Sequence, residues 1–278
     1  MEQHTYSIMN RVENDHWWFH GRRAILREFM SQLVNSLGSE REEGSRFQVP
    51  SSKSDEELRT QNSKLKTQNL KQAFRILDVG CGTGANLEML AEFGEAEGVD
   101  VSDEALKFCQ SKGLKVHKGL AEDLPFEDGE FDIVTALDVV EHLDDDIAGL
   151  KEIFRVTCAD GKALVFVPAF MWLWGVQDDI SNHRIRYTKK QITERLAAAG
   201  FEVERATYAN ITFFAPILAG RVLMRATGLR PESENNINVS ALNGLLGSVF
   251  AAERHWLKKF SFPFGVSIVV TASKPESR

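Results

Sequence analysis

The feature that most constrains this chain is a short apolar segment that leads directly into a glycine-rich loop. Arg75–Val79 has the length and apolar character of a buried strand, and the next five residues, Gly80–Gly84, include three glycines. Glycine permits tight turns and lets a ligand approach the backbone closely. Leu87 and Leu90 then begin a helical pattern. A strand, a glycine loop and a helix in this order predict the first unit of an α/β sheet with a ligand site at the loop.

Strand and helix patterns alternate from Phe74 onwards, which predicts a mostly parallel sheet covered by helices on both faces. We predict seven strands, near residues 75–79, 98–100, 114–117, 131–136, 163–167, 201–205 and 265–271. In such sheets ligands bind beyond the carboxyl ends of the strands, at the point where the strand order reverses.

Three regions follow from the change of composition along the chain. Residues 1–37 carry a helical pattern that begins after the aromatic cluster His16–His20. Residues 38–72 contain few large apolar side chains and are predicted to form a flexible insertion, because they cannot bury enough surface to offset their ordering entropy. Residues 73–278 form the main domain, with an apolar, mainly helical insertion at about 209–261.

Composition and charge exclude several classes of protein. A net charge of −7 gives no basic surface for nucleic acid. The three cysteines lie far apart and match neither a disulfide framework nor a zinc site, so we expect no metal. The polar N-terminus does not resemble a signal peptide. Residues 211–224 are too short to span a bilayer. We therefore expect a soluble, cytoplasmic chain without an integral membrane segment, and peripheral membrane contact stays open.

The glycine loop alone is compatible with two cofactors. Gly80 and Gly82, with Asp100 further along, also fit a loose dinucleotide fingerprint, so an NAD(P)-dependent oxidoreductase is an alternative. Asp78 argues against it, because a carboxylate beside the loop repels a pyrophosphate and suits a ligand that carries an ammonium and a sulfonium. Such enzymes also need a catalytic Tyr with a Lys four positions later. Tyr187 does not fit this pattern, because position 191 is Gln.

Four segments in this order resemble the motifs of class I S-adenosylmethionine-dependent methyltransferases. They are residues 76–84, 98–102, 121–126 and 131–143. The resemblance implies a Rossmann-like sheet of seven strands, mostly parallel with an antiparallel last strand, and S-adenosylmethionine as the cofactor. It also implies a methyltransferase, a transferase of class EC 2.1.1.

The same resemblance implies a set of cofactor-binding residues. In chain order these are Asp78, Gly80, Cys81, Gly82, Gly84, Asp100, Val101, Ala121, Glu122 and Leu137. Asp78 and the glycine backbones would face the methionine part, and Asp100 the ribose. Ala121 and Glu122 would lie at the adenine, with Leu137 closing the other side. Relatives often carry Asp where this chain has Leu120.

Candidates for the acceptor side follow the fourth and fifth strands. His142 is a candidate general base, or else a packing residue, since methyl transfer needs a base only when the acceptor is protonated. Glu141 is interpreted as structural. The remaining substrate candidates are Trp172, Trp174, His183, Arg184, Arg186 and Tyr187. In the alternative interpretation, Arg184 and Arg186 pair with Asp178 or Asp179, and Tyr187 packs on the sheet.

The segment His16–Phe19 resembles an N-terminal element of some bacterial small-molecule methyltransferases, which also have a segment similar to His183–Thr188. The resemblance implies a lid over the cofactor in which Trp17 and Trp18 contact the substrate; alternatively, they only fix the first helix. We expect methylation of oxygen or carbon in a small-molecule or lipid-like acceptor, by a monomer or homodimer. The other alternative is a non-catalytic S-adenosylmethionine-binding or membrane-associated protein.

Overall fold

The computed structural model describes residues 6–7, 10, 12–13, 16–46, 74–228 and 240–276. Its centre is one seven-stranded sheet with the order β3-β2-β1-β4-β5-β7-β6. The strands are β1 (Arg75–Val79), β2 (Glu95–Asp100), β3 (Val116–Lys118), β4 (Phe131–Leu137), β5 (Thr157–Pro168), β6 (Glu202–Ala209) and β7 (Ser267–Ser273). The first five strands pair in parallel, and β7 runs antiparallel to both β5 and β6. The predicted fold is confirmed.

The sheet order reverses between β1 and β4, so the ligand crevice of this fold lies at the carboxyl ends of these two strands. The helices are α1 (Trp17–Arg46), α2 (Ala85–Leu90), α3 (Asp103–Ser111), α4 (Asp146–Val156), α5 (Val176–Ile180), α6 (Lys189–Ala199), α7 (Phe214–Thr227) and α8 (Ser240–Leu257). Short 3-10 turns lie at Val140–His142 and Met171–Leu173. Thr188 and Gln191 form the predicted capping box at the start of α6.

Alternate side chains of the strands enter two cores, one on each face of the sheet. Leu77 of β1 belongs to the core that α4 and α6 cover. Its neighbour Ile76 faces the opposite core, which α1 and α8 cover. Successive side chains of a strand point to opposite faces, so a strand buried on both sides must be apolar throughout.

Helix α1 differs from the predicted N-terminal lid. Ile25, Leu26, Phe29 and Met30 are at most 1% exposed and pack on the sheet, so the helix is part of a core layer. The helix also continues past residue 37 to Arg46. The predicted flexible insertion therefore does not begin at residue 38, and its remainder, residues 47–72, lies outside the described residues.

The predicted helical insertion contains α7 and α8. Phe250 and Leu257 of α8 are fully buried in the core that α1 shares. Several apolar side chains of the two helices stay exposed, among them Val222, Leu223, Leu245 and Trp256. In the part of the chain that the structure describes, every helix is too short or too polar to cross a bilayer.

Two glycines of α1 make a matched pair for testing its packing. A Cβ on Gly21 would lie 2.3 Å from the ring of Phe250, whereas a Cβ on Gly38 would meet nothing within 4 Å. We expect Gly21→Ala to destabilise the fold by about 1–3 kcal/mol through overpacking. Gly38→Ala should stabilise it by up to about 1 kcal/mol, because alanine is the better helix former. Urea unfolding of both variants measures the difference, and equal midpoints would contradict this packing.

Candidate functional site

The glycine loop after β1 is shaped by three positive φ angles. Gly80, Gly82 and Gly84 have φ of 67°, 55° and 89°, a region that side chains disfavour. A Cβ would lie 2.4 Å from Val139 at position 80 and 2.5 Å from Leu114 at position 84. At position 82 it would meet nothing within 4 Å. The outer glycines therefore serve packing, and the middle one leaves space for a ligand against the backbone.

Two buried acids flank this space. Asp78 is 0% exposed; its Oδ1 accepts a hydrogen bond from Thr135 at 2.6 Å, and its Oδ2 has no partner in the described part of the chain. Burial raises the pKa of Asp78 to about 7, although the Thr135 hydrogen bond acts in the opposite direction. Asp100 accepts the backbone N–H of Gly82 at 2.9 Å and that of Ser102 at 2.8 Å. Asp78 thus keeps a free acceptor for a cation, and each Asp100 oxygen retains a second lone pair for a hydroxyl.

The other predicted cofactor residues differ in how far their side chains are exposed. The side chains of Cys81 and Leu137 are only 4% and 5% exposed and belong to the cores. At these two positions the backbone alone borders the site. Val101 is 57% exposed, and Ala121 and Glu122 are partly exposed after β3.

Two of the described residues before α1, Tyr6 and Glu13, lie near the cofactor loop. Both carboxylate oxygens of Glu13 accept from the Thr83 hydroxyl at 2.6 Å, and Glu13 is 4% exposed. Burial raises the pKa of the Tyr6 hydroxyl to about 12, and the charge of Asp100 adds to the rise. Tyr6 is therefore close to the predicted ribose-binding acid. Neither Tyr6 nor Glu13 was identified from the sequence, since each is an isolated residue in a polar segment.

Arg22 is another buried charge that the sequence did not identify as functional. It forms an ion pair with Asp138 at 2.6 Å, just beyond β4, and donates to Asn86 of α2 at 3.2 Å. Its guanidinium also lies over the rings of Trp18 and Phe166, 5.4 and 5.0 Å from their centroids. Arg22 thus joins α1 to both sides of the crevice.

Trp17, Trp18 and Phe19 of the aromatic cluster at the start of α1 are half-buried. The ring of Trp17 lies 4.6 Å from that of Phe213 and 6.1 Å from that of Phe250. Trp18 contacts Phe19 and Arg22. The Trp17 contacts join α1 to the residue before α7 and to α8, and the predicted contact of Trp17 and Trp18 with the substrate stays a prediction.

The segment His183–Thr188 is also held by internal partners. Arg186 pairs with Asp178 through two hydrogen bonds of 2.8 and 3.0 Å, and both side chains are buried. Tyr187 is 0% exposed and donates to Asp146 at 2.7 Å. Arg184 pairs at the surface with Asp144. Arg186 and Tyr187 are therefore held by internal partners, as in the alternative interpretation. Because both side chains are buried, neither is open to the acceptor contact that was predicted.

The two tryptophans after β5 lie nearer the surface. Trp172 is 47% exposed and stacks on Phe170 with a centroid distance of 5.0 Å. Trp174 donates from its indole nitrogen to Asp179 at 2.8 Å. Of the two, Trp172 presents the larger free apolar face.

Glu141, His142 and His183 come together after β4. Glu141 is 0% exposed, and neither of its carboxylate oxygens has a hydrogen-bond partner. Burial raises its pKa well above the usual value, and the charge of Asp138 adds to the rise. Burial and the charge of His183 lower the pKa of His142 to about 4. His142 is therefore neutral at neutral pH and is a weak proton acceptor.

Comparison with known proteins identifies the family. Residues 77–165 match the methyltransferase domain family. A probable S-adenosylmethionine-dependent methyltransferase of Mycolicibacterium smegmatis is 32% identical over 46% of this chain and 52% of its own length. Ajmaline N-methyltransferase of Rauvolfia serpentina is 31% identical over 67% of both chains. For several curated relatives the matched region spans about half of their length, between 43% and 61%.

A solved structure supports the fold over nearly the whole chain. The S-adenosylmethionine-dependent methyltransferase of Thermotoga maritima, described as a possible histamine N-methyltransferase, superposes with a TM-score of 0.51 at 16% identity and covers 97% of both chains. The residues present also fit the cofactor, since the buried Asp78 oxygen lacks a partner and the space at Gly82 is open. The chain belongs to the class I S-adenosylmethionine-dependent methyltransferases, and S-adenosylmethionine is its cofactor.

Proposed function

We propose that this chain transfers the methyl group of S-adenosylmethionine to a small-molecule or lipid-like acceptor at the carboxyl edge of the sheet. The observation that carries the proposal is the buried, unpartnered oxygen of Asp78 beside the open backbone at Gly82. Asp78 holds the cationic methionine part of the cofactor, and Asp100 holds the ribose. The cofactor supplies an activated methyl group, and the protein aligns it with the acceptor and excludes water. The likeness to ajmaline N-methyltransferase supports a small-molecule acceptor.

The methylated atom is proposed to be oxygen or carbon. Such acceptors lose a proton during the reaction, whereas a neutral amine attacks through its lone pair and needs no base at that step. His142 is neutral at neutral pH and stands on the acceptor side of β4. Because this pKa lies well below neutral pH, His142 is too weak a base to deprotonate an ordinary phenol or enol, so we propose an acceptor that ionises near neutral pH by itself.

Tyr6 and Glu13 are proposed to belong to a lid segment before α1, in place of the helix that the sequence suggested. The contact of Glu13 with Thr83 and the position of Tyr6 near Asp100 support this assignment. Closing the loop in this way keeps water from the methyl donor, and the segment must move for the product to leave.

Replacing Asp100 by alanine is expected to weaken the binding of S-adenosylhomocysteine at least tenfold, or about 1.4 kcal/mol. The variant loses the acceptor for the ribose and the anchor of the Gly82 N–H. Asp103→Ala is the control, because Asp103 is an exposed neighbour that pairs with Lys118 outside the site. Calorimetry measures both affinities, and an Asp100→Ala variant that is folded and binds as tightly as Asp103→Ala would refute the ribose role.

Methyl transfer itself is tested with labelled S-adenosylmethionine and fractionated cell extracts. We expect label in a product of low mass or in the lipid fraction, with loss of that product in Asp100→Ala. A protein that binds the cofactor yet labels nothing in any fraction would instead be the non-catalytic alternative. Binding of NAD in place of S-adenosylhomocysteine would favour the oxidoreductase.

A further inference from the structure

We propose that Glu141, His142 and His183 form a binding site for a divalent transition-metal ion such as Zn²⁺. Each residue offers one ligand atom, and the three atoms lie within 4.8 Å of one another. The expectation that the chain binds no metal rests on the cysteine spacings alone, and these spacings say nothing about histidine and glutamate ligands. His183 lies far along the chain from the adjacent pair Glu141 and His142, and the fold brings them together.

The buried carboxylate of Glu141 is the first argument for a ligand. Both of its oxygens are buried and have no hydrogen-bond partner among the residues that the structure describes. Among the described residues, the basic nitrogen closest to this carboxylate is Nε2 of His183, 3.9 Å from Oε1, which is longer than a hydrogen bond. A buried carboxylate without partners is costly, so such groups normally meet a cation or a donor.

The cations near Glu141 are already paired with other acids. The guanidinium of Arg22 pairs with Asp138 at 2.6 Å. That of Arg186 pairs with Asp178. Each arginine therefore has a carboxylate of its own at closer range. A bound ion would take the deprotonated form of Glu141 as its ligand and supply the counter-charge of that carboxylate.

The imidazole of His183 is oriented in the way that metal ligands usually are. Nδ1 of His183 is hydrogen bonded to Asp178 at 2.7 Å, which leaves Nε2 directed towards Glu141. The ring centroid of His142 lies 4.7 Å from that of His183. The carboxylate behind His183 fixes its ring in the way that carboxylates hydrogen bonded to metal-binding histidines fix theirs.

The ligand set indicates the class of ion. Two imidazoles and one carboxylate suit Zn²⁺, Co²⁺, Mn²⁺ or Fe²⁺ better than Mg²⁺ or Ca²⁺, which prefer oxygen ligands. Three protein ligands leave at least one position for another group, as in catalytic zinc sites. If the proposed methyl transfer holds, that position would accept an oxygen of the acceptor, because the cluster directly follows β4 at the crevice. Binding of the ion itself does not depend on that function.

The test is calorimetric titration of chelator-treated full-length protein with Zn²⁺. We expect one ion per chain and at least a tenfold loss of affinity in Glu141→Gln and in His183→Asn. His117→Asn is the matched control, because His117 also pairs with a glutamate, Glu97, at 2.8 Å but has no third ligand nearby among the described residues. Its Zn²⁺ affinity should be unchanged. Absence of binding in the wild type, or equal affinities in all variants, would overturn the proposal.

A second measurement needs no variant and so does not depend on how the variants fold. Paramagnetic Co²⁺ should broaden the imidazole NMR signals of His142 and His183 while that of His117 stays sharp. Broadening elsewhere with these two signals unaffected would overturn the site. The affinity of the same samples for S-adenosylhomocysteine tests the proposed function separately. A wild-type protein that binds Zn²⁺ but not S-adenosylhomocysteine would refute the methyltransferase mechanism and leave the metal site unaffected.

Discussion

Arg22→Ala is expected to lower the free energy of unfolding by roughly 3 kcal/mol or more, because it leaves Asp138 without its partner. The Arg22 side chain is 4% exposed, and Asp138 is 27% exposed, which places the loss at the lower end of the range for buried pairs. The variant also loses two cation–π contacts, with Trp18 and Phe166, each of about 0.5–2 kcal/mol. Chemical denaturation measures the change.

The control for this variant lies on the same helix. Arg27 pairs with Glu92 at 2.6 Å, but both side chains are about half exposed, so Arg27→Ala should cost at most about 1 kcal/mol. A double-mutant cycle with Asp138→Ala isolates the pair: removal of both partners should cost less than the sum of the two single losses. If Arg22→Ala and Arg27→Ala lowered the free energy of unfolding equally, the buried pair would not stabilise the packing of α1 at the crevice.

Local patterns in the sequence were sufficient for the strands, the caps and the cofactor loop. A buried strand, a glycine turn and an N-cap are each determined by a few consecutive residues, as at Gly80–Gly84 and Thr188. The alternative pairing of Arg186 with Asp178 was also within reach, because the two residues are eight positions apart on the same connection.

Contacts between distant segments could not be predicted in this way. Glu13 and Thr83 are 70 residues apart, and nothing in either local sequence indicates the other. The same holds for Arg22 with Asp138 and for Glu141 with His183. The sheet order brings each of these partners to the same crevice, and no local pattern around the residues indicates the pairing.

Composition underestimates the length of α1 for a thermodynamic reason. Residues 38–46 have few apolar side chains, so by composition they cannot form a core of their own. Residues 38–46 do not need a core of their own, because the buried part of α1 has already nucleated the helix. Each further residue then adds a helical hydrogen bond. Composition therefore predicts poorly where a helix that is anchored at one end will stop.

The affinity for S-adenosylhomocysteine is expected to fall about 30-fold, or about 2 kcal/mol, between about pH 8.5 and pH 5.5. Burial raises the pKa of Asp78 to about 7; hydrogen bonding by Thr135 and the charge of Arg22 on α1 lower it, and the charge of Asp100 on β2 raises it further. Below that pKa the free protein carries a proton on Asp78. The cationic amino group of the ligand needs the carboxylate, so binding must release this proton and weakens as the pH falls.

Asp78→Asn separates this effect from every other titration in the pocket. The amide keeps the size of the side chain but cannot ionise, so the variant should bind weakly at all pH values with a nearly flat profile. Calorimetry in two buffers of different ionisation enthalpy would show proton release near pH 6 for the wild type and much less for the variant. If Asp78→Asn kept the full pH dependence, the proton would reside elsewhere, and Asp78 would not be the group that holds the methionine part of the cofactor.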